Sequence, residues 1–446
     1  MTRNLVGIPT GTAHRLRLLL IPLVCIGLAW VGTANANSED PPPQEGSETP
    51  NPPDSGATSK GGLESVVSDD QDDNKDGDGG RLHWGPLYPS ITVVSSGASV
   101  GPELQLWLPN LGASPLDFHV GGIYSIRHYQ HYTAQFGLLP ERRHGPPSFA
   151  TSSTSIYPLA PIERLAGAEN HFVLYGSYRY RDYPEEDFYG VGFDTPREDH
   201  TNFGLRDHLF EAVTGYHFSP RFAVTVRAGL LETSLGLGKD SALAQLSTRF
   251  DSLTAPGFGD PPEHVILTTG AIADLRDQLN NPHKGALFMV GLSRFEDRHG
   301  GPFEFTRAAG DARFYVPLFT PKHVIAARAL VSSDWPDAGS RVPFYLQSML
   351  GGSRLLRGYP SFRFRDDALT AFSVEYRFEP ISKLELALFY DAGQVAESFS
   401  ALDLADLKTA WGGGIRIKSK HRMLLRFDVA RSRETTRYLV KTSPAF

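Results

Sequence analysis

Cysteine is almost missing from this chain: Cys25 is the single one among 446 residues, so neither a disulfide framework nor thiol chemistry can organise it. Long apolar runs are as scarce. Beyond Leu18–Val31 no stretch approaches about 18 uninterrupted apolar residues, which excludes further helical membrane spans. Basic excess is absent too. The net charge is −7 and no basic patch interleaves with aromatics, so nucleic acid is not an expected partner. No glycine loop precedes a helix in the way that cradles a phosphate.

What is present begins with a leader. Arg3, Arg15 and Arg17 precede the apolar run, which closes on Ala34-Asn35-Ala36. A basic region, an apolar region and an A-x-A site predict a signal peptide over 1–36, whose cleavage would remove Cys25. Residues 37–83 are Pro-rich and then acidic, with twelve acids against Lys60 and Lys75 over 37–80. Such a segment cannot bury a core and is expected to be a disordered acidic linker. Asp72-x-Asn74-x-Asp76-Gly77 imitates half a calcium loop, but His83 stands where the bidentate Glu belongs. Neither metal nor cofactor is expected. His128 and His131 lack further ligands at suitable spacing and read as part of a Tyr-rich turn at headgroup level.

From about residue 84 to 446 the pattern changes to period-2 alternation broken by Gly, Pro and Asp turns. Phe372, Val374, Tyr376 and Phe378 share one face, opposite Ser373, Glu375 and Arg377. Leu384, Leu386, Leu388 and Tyr390 oppose Glu385, Ala387, Phe389 and Asp391. Trp411, Ile415 and Ile417 oppose Gly412, Gly414, Arg416 and Lys418. The polar faces carry both signs of charge with glycines between them, and aromatics cap the apolar faces. That suits an all-β transmembrane antiparallel barrel turned inside out relative to a soluble sandwich. Candidate strands at 91–97, 102–109, 117–126, 130–137, 171–181, 205–217, 221–233, 264–274, 285–296, 303–316 and 322–333, with five more after residue 367, predict about sixteen. Insertions at 138–170, 235–263 and 334–367 read as extracellular loops. Phe446, on one parity with Tyr438 and Val440, reads as the end of the last strand. Pro444 lacks a donor, which predicts a weak seam to the first strand.

Between those groups of strands lies Gly351-Gly352-Ser353-Arg354-Leu355-Leu356-Arg357-Gly358-Tyr359, too rich in glycine and arginine for a core strand. An arginine among small residues before such strands predicts a loop folded back into the lumen, with Arg357 on an inner-wall carboxylate. Parity nominates Asp391.

These residues resemble the BamA/TamA superfamily of outer-membrane barrels, also called the bacterial surface antigen family. Leu356-Arg357-Gly358-Tyr359, after Gly351-Gly352, is similar to its RGF/RGY lock motif. Phe389-Tyr390-Asp391-Ala392-Gly393 is similar to its F-x-D-x-G strand. Asp274-Leu275-Arg276-Asp277 with Pro282 and Gly285 resembles its D-x-R-D…P-x-x-G hairpin, and Phe188–Gly192 and Phe427-Asp428 are weaker likenesses. The resemblance implies a lumen lock made by Gly351, Gly352, Arg357, Gly358, Tyr359, Asp391 and Gly393. It implies a structural role for Asp274, Arg276, Asp277, Pro282 and Gly285. It also implies a monomeric barrel in outer-membrane lipid of a Gram-negative bacterium, concerned with assembly, translocation or surface display of a client polypeptide. The family's insertases carry POTRA domains, for which the roughly 45 residues after the leader leave no room. A passive pore is the alternative. A lipid hydrolase built on Ser99 in Gly97-Ala98-Ser99-Val100-Gly101 needs a helix after the serine, where Pro102 and a strand-like run follow instead.

Overall fold

A computed structural model describes residues 83–93, 100–140, 159–163, 165–168, 170–279, 281–418, 423–441 and 444–446. The chain divides into units 1–70 and 71–446, and every described residue belongs to the second. The leader, the acidic segment up to residue 82 and Ser99 lie outside the described residues.

The expected architecture is found. The large sheet has 17 strands, one of them the two-residue stub Ala244–Gln245 lying parallel to a neighbour. The other sixteen run antiparallel in chain order: β1 (Leu87–Val93), β2 (Val100–Leu108), β3 (Asp117–Tyr124), β4 (Gln130–Leu138), β5 (Phe172–Phe188), β6 (Thr201–Ser219), β7 (Phe222–Leu237) and β8 (His264–Asp274). There follow β9 (Gly285–Asp297), β10 (Phe305–Leu318), β11 (Thr320–Pro336), β12 (Ala368–Ile381), β13 (Leu384–Ala396), β14 (Lys408–Lys418), β15 (Met423–Ser432) and β16 (Thr436–Lys441). Each ladder joins sequence neighbours, and among the described residues no ladder joins β1 to β16. No helix is long and apolar enough to cross a membrane among the described residues.

Burial shows which face is which. Val290, Phe314, Val374, Leu388, Tyr390 and Trp411 are exposed, whereas Glu375, Asp391, Arg416, Arg426 and Asp428 are fully buried. A water-soluble sheet would do the reverse. In lipid the backbone must satisfy its own hydrogen bonds, which a barrel meanders to achieve, and the charged face is left to pair with itself.

A sixteen-strand meander sends its connections alternately to two ends. Turns after even-numbered strands share the end that holds both termini of the barrel, here the terminal end; those after odd-numbered strands lie at the far end. The insertions 238–263 and 337–367 therefore emerge together at the far end. The insertion 139–171, after β4, emerges at the terminal end, which corrects the expectation that all three share one side. Turning signals mark where a chain reverses but not at which rim.

Two smaller expectations are also corrected. Phe446 does not continue the last strand: β16 stops at Lys441, and Ala445 and Phe446 are buried with the inward-facing Tyr315, Val324 and Ala326. The Arg377 guanidinium lies 5.3 Å from the Phe446 ring, so a cation–π contact draws the ring inward in place of lipid. His131 is an inward, buried residue of β4 that meets the Tyr183 hydroxyl at 3.2 Å, not part of a surface turn; His128 does occupy the β3–β4 turn, against the Tyr124 hydroxyl at 2.8 Å.

Candidate functional site

The far-end insertion between β11 and β12 turns back into the lumen. It pairs with itself through two short strands, Ser348–Leu350 and Phe364–Asp366, and carries a one-turn helix, Gly352–Leu355, between them. Gly351 has φ 129° and Gly352 φ 78°, values that side chains rarely tolerate. The loop closes on itself where the Gly352 amide donates to the Tyr359 carbonyl at 3.1 Å.

Arg357 projects from this loop and is 1 % exposed. Its Nε donates to Asp391 Oδ2 at 2.7 Å and its Nη2 to Asp391 Oδ1 at 2.6 Å, a two-pronged fork; its backbone amide adds a bond to Oδ2 at 3.1 Å. Nη1 donates to Glu375 Oε1 and lies 3.9 Å from Asp428 Oδ2. The guanidinium carbon is 3.5 Å from the centre of the Phe389 ring, whose face completes the site. Burial acts to lower the pKa of Arg357, but Asp391 and Glu375 outweigh it and hold the group above its ordinary value. Ladder register explains the convergence. Asp391 faces Ser373 across β12 and β13 while Glu375 faces Phe389, so the two carboxylates are diagonal neighbours that one planar fork can span.

The glycines next to the arginine bring the loop against the wall. A Cβ on Gly358 would lie 2.7 Å from Ala410 Cβ and 3.0 Å from the Ser432 amide nitrogen, and Ser432 Oγ donates to the Gly358 carbonyl at 2.8 Å. Gly393 leaves room for Leu350 of the inner hairpin. Tyr359 is buried against Phe364, and Arg437 of β16 donates to its carbonyl. The structure thus brings Gly351, Gly352, Arg357, Gly358, Tyr359, Asp391 and Gly393 into one cluster.

Sequence reasoning named Glu375 and Arg416 on polar faces and Phe389 and Asp428 within family-like strands, but assigned none of the four to the lock. Arg416 bridges Glu375 and Glu385 at 2.7 Å each, and Arg377 reaches the other Glu375 oxygen at 2.9 Å, so Glu375 is the hub of three guanidinium groups. All four residues sit at inward parity, a signal that places them on the correct face without saying that one loop gathers them. A second belt holds the outer part of the insertion. Arg363 forks onto Glu434 at 2.9 Å and donates to the Thr195 carbonyl at 2.8 Å; the Gly192 amide donates to the Arg365 carbonyl at 2.8 Å.

The hairpin residues stand apart from this cluster, in the β8–β9 turn at the terminal end. Arg276 forks onto Asp274 at 2.8 Å, and Asp277 Oδ1 accepts from the His283 and Lys284 amides at 3.0 and 3.2 Å. Gly285 has φ 108°, and a Cβ there would overlap the Leu275 carbonyl; Pro282 is buried beside it. These bonds shape a turn.

The other occupant of the lumen carried no signal in the sequence. Helix α1 (Leu159–Glu163), from the terminal-end insertion, packs on the inner faces of β8, β9 and β10. Leu159, Ile162 and Leu165 are at most 2 % exposed and share one apolar cluster with Leu355, Leu356 and Tyr359 of the far-end loop. Glu163 pairs with Arg313 at 2.7 Å. The lumen is filled from both ends, and both fillers belong to one apolar cluster.

Set beside known proteins, residues 183–445 match the Omp85 superfamily domain. Among solved structures the fold is similar to BamA from Haemophilus ducreyi lacking POTRA domains 1–3, at TM-score 0.55 and 13 % identity, covering 80 % of this chain and 69 % of that one. Weaker likenesses are to CdiB from Escherichia coli (TM-score 0.47, 13 % identity, 80 % of this chain and 60 % of that one) and CdiB from Acinetobacter baumannii (0.44, 12 %, 79 % and 56 %). This chain spans little more than half the length of those two. No curated protein matches it by sequence.

Proposed function

The chain belongs to the Omp85 superfamily, and from that premise we propose that it works in the outer membrane of a Gram-negative bacterium as a BamA/TamA-type barrel that assembles, translocates or displays a client polypeptide. It does so without covalent chemistry. The observation that carries this reading is the obstructed lumen, with Arg357 forked onto Asp391 and α1 lodged from the other end. A passive pore needs a standing aqueous path. A barrel that admits polypeptide needs a path that opens on demand, and fillers tied to inserted loops supply one. A hydrolase reading is disfavoured because strand β2 starts at Val100, where a nucleophile elbow would need a helix.

The test is depletion of the protein in its host, with quantitation of outer-membrane and surface polypeptides. A discrete set should be lost, restored by the full chain and not by Arg357→Ala. An unchanged surface proteome, together with steady large conductance of the wild type in planar bilayers, would make the protein a pore.

A further inference from the structure

We propose that the inner wall of β7–β10 is a binding site for a short polypeptide segment, two or three apolar residues at helical spacing next to a carboxylate, and that α1 occupies this site in cis as a displaceable stopper. This rests on the reading that the barrel handles polypeptide.

The wall is shaped for such a segment. Leu159 and Ile162, three residues apart on α1, lie on one face, and Leu165, just past its end, is buried in the same cluster. They enter a surface made by the buried side chains of Ala223, Ile272, Leu287 and Met289, an apolar patch on the inner wall. Gly270 of β8 faces Ile162, and a Cβ there would overlap Ile162 Cδ1; on β6, a Cβ on Gly215 would lie 3.4 Å from Leu165 Cδ1. One charge completes the recess. Arg313 is 3 % exposed and donates to Glu163 at 2.7 Å while also holding Asp311 at 2.9 Å. The Glu163 side chain keeps 33 % exposure, so the acidic end meets water while the apolar end is sealed. His217 Nε2 meets the Leu165 carbonyl at 3.1 Å, a main-chain contact that any residue could supply.

Nothing in α1 makes it the unique occupant. Five residues form too little helix to stand alone, so its shape is imposed by the wall. The segment is held by apolar burial, one ion pair and one hydrogen bond to a main-chain carbonyl, which another segment with the same pattern reproduces. The tether, though, gives α1 an effective concentration on the order of millimolar against any free competitor. A peptide probe therefore needs the cis segment removed.

The experiment replaces residues 159–165 of the full chain by an equal-length Gly/Ser stretch, with correct folding checked by heat-modifiable gel mobility. The probe is a fluorescent synthetic peptide copying residues 157–168. In nanodiscs it should bind the replaced chain at least tenfold more tightly than the intact chain. A Glu163→Gln peptide, or Arg313→Gln in the replaced chain, should weaken binding about tenfold, and a scrambled peptide should not bind. In planar bilayers the replaced chain should conduct and the peptide should block it. Equal binding of scrambled and native peptides, or no binding to the replaced chain, would overturn the proposal. Peptide binding without any depletion phenotype would keep this site and retire the polypeptide-handling role. A depletion phenotype without peptide binding would keep the role and retire the site.

Discussion

The two sides of the lumen are built from different materials. Along β12–β15 the inner wall is charged, and it holds the far-end loop by a fork from Arg357 onto Asp391 and a single bond to Glu375. Along β7–β9, towards the terminal end, it is apolar, and it holds α1 by the burial of Leu159, Ile162 and Leu165 with a single ion pair. A buried ion network is specific because each member has one acceptable position, and removing one partner strands another charge. Apolar burial is tolerant of what fills it. One side of the lumen fixes a loop in register; the other accepts a segment that can leave.

The sharpest way to break this contrast is Arg357→Ala. It leaves Asp391 and Glu375 buried without their bridge, and loss of a buried partner costs about 3–5 kcal/mol. Urea unfolding in lipid should show that loss, with Arg357→Lys intermediate because it keeps the charge and forfeits the fork. An Arg357→Ala midpoint within error of the wild type would mean that water, not the loop, satisfies those acids.

Gly358→Val comes next, because a side chain there would press on Ala410 and the Ser432 backbone. Overpacking of this kind costs about 1–3 kcal/mol. The same unfolding assay checks it, and the loop should become cleavable by protease from the far end.

On the apolar side Ile162→Ala should shift the unfolding midpoint by less than about 1 kcal/mol, since α1 belongs to no ladder and can open locally. Limited proteolysis within 139–171 should nonetheless accelerate severalfold. A midpoint shift as large as that of Arg357→Ala would erase the distinction between the two walls.

The smallest expected effect is that of pH. Burial pushes the Glu163 carboxyl up, but Arg313 and Arg354 outweigh it and hold it at about 2, below its ordinary 4.5, with Asp311 opposing them. A carboxylate depressed in this way contributes fully above pH 4.5 and loses its contribution as pH falls through about 2. Proteolysis of the 139–171 segment, with an acid-active protease at the low end, should therefore be unchanged from pH 8 to 5 and rise only below that. Opening between pH 7 and 5 would point to a different group.

Period-2 alternation carried most of the architecture. The reading of 264–274 as a strand coincides with β8, and eleven strands before the glycine–arginine stretch and five after it are what the fold contains. The first strand begins at Leu87, four residues ahead of the expected 91–97, and 94–97 lie outside the described residues. Its apolar residues are few, and Ser95-Ser96-Gly97 resembles strand and turn alike. Parity fixed which side of β13 carries Asp391, because a pleat leaves only two choices. It could not show that Arg357 also reaches Glu375, or that Glu163 meets Arg313, 150 residues later, since alternation holds no information about which distant loop enters a lumen. The misplaced rim of the 139–171 insertion is a different kind of miss. Counting hairpins from the first strand assigns it to the terminal end, whereas loop length, the signal for an extracellular loop, carries no information about the rim.

Every side-chain partner that Arg357 engages lies downstream of it: Glu375 comes 18 residues later, Asp391 34 residues later, and Asp428 after those. The loop cannot seat itself until those later strands have docked. A chain truncated before β13 would lack Asp391, leave the Arg357 fork unmade and free the loop that carries it from the wall.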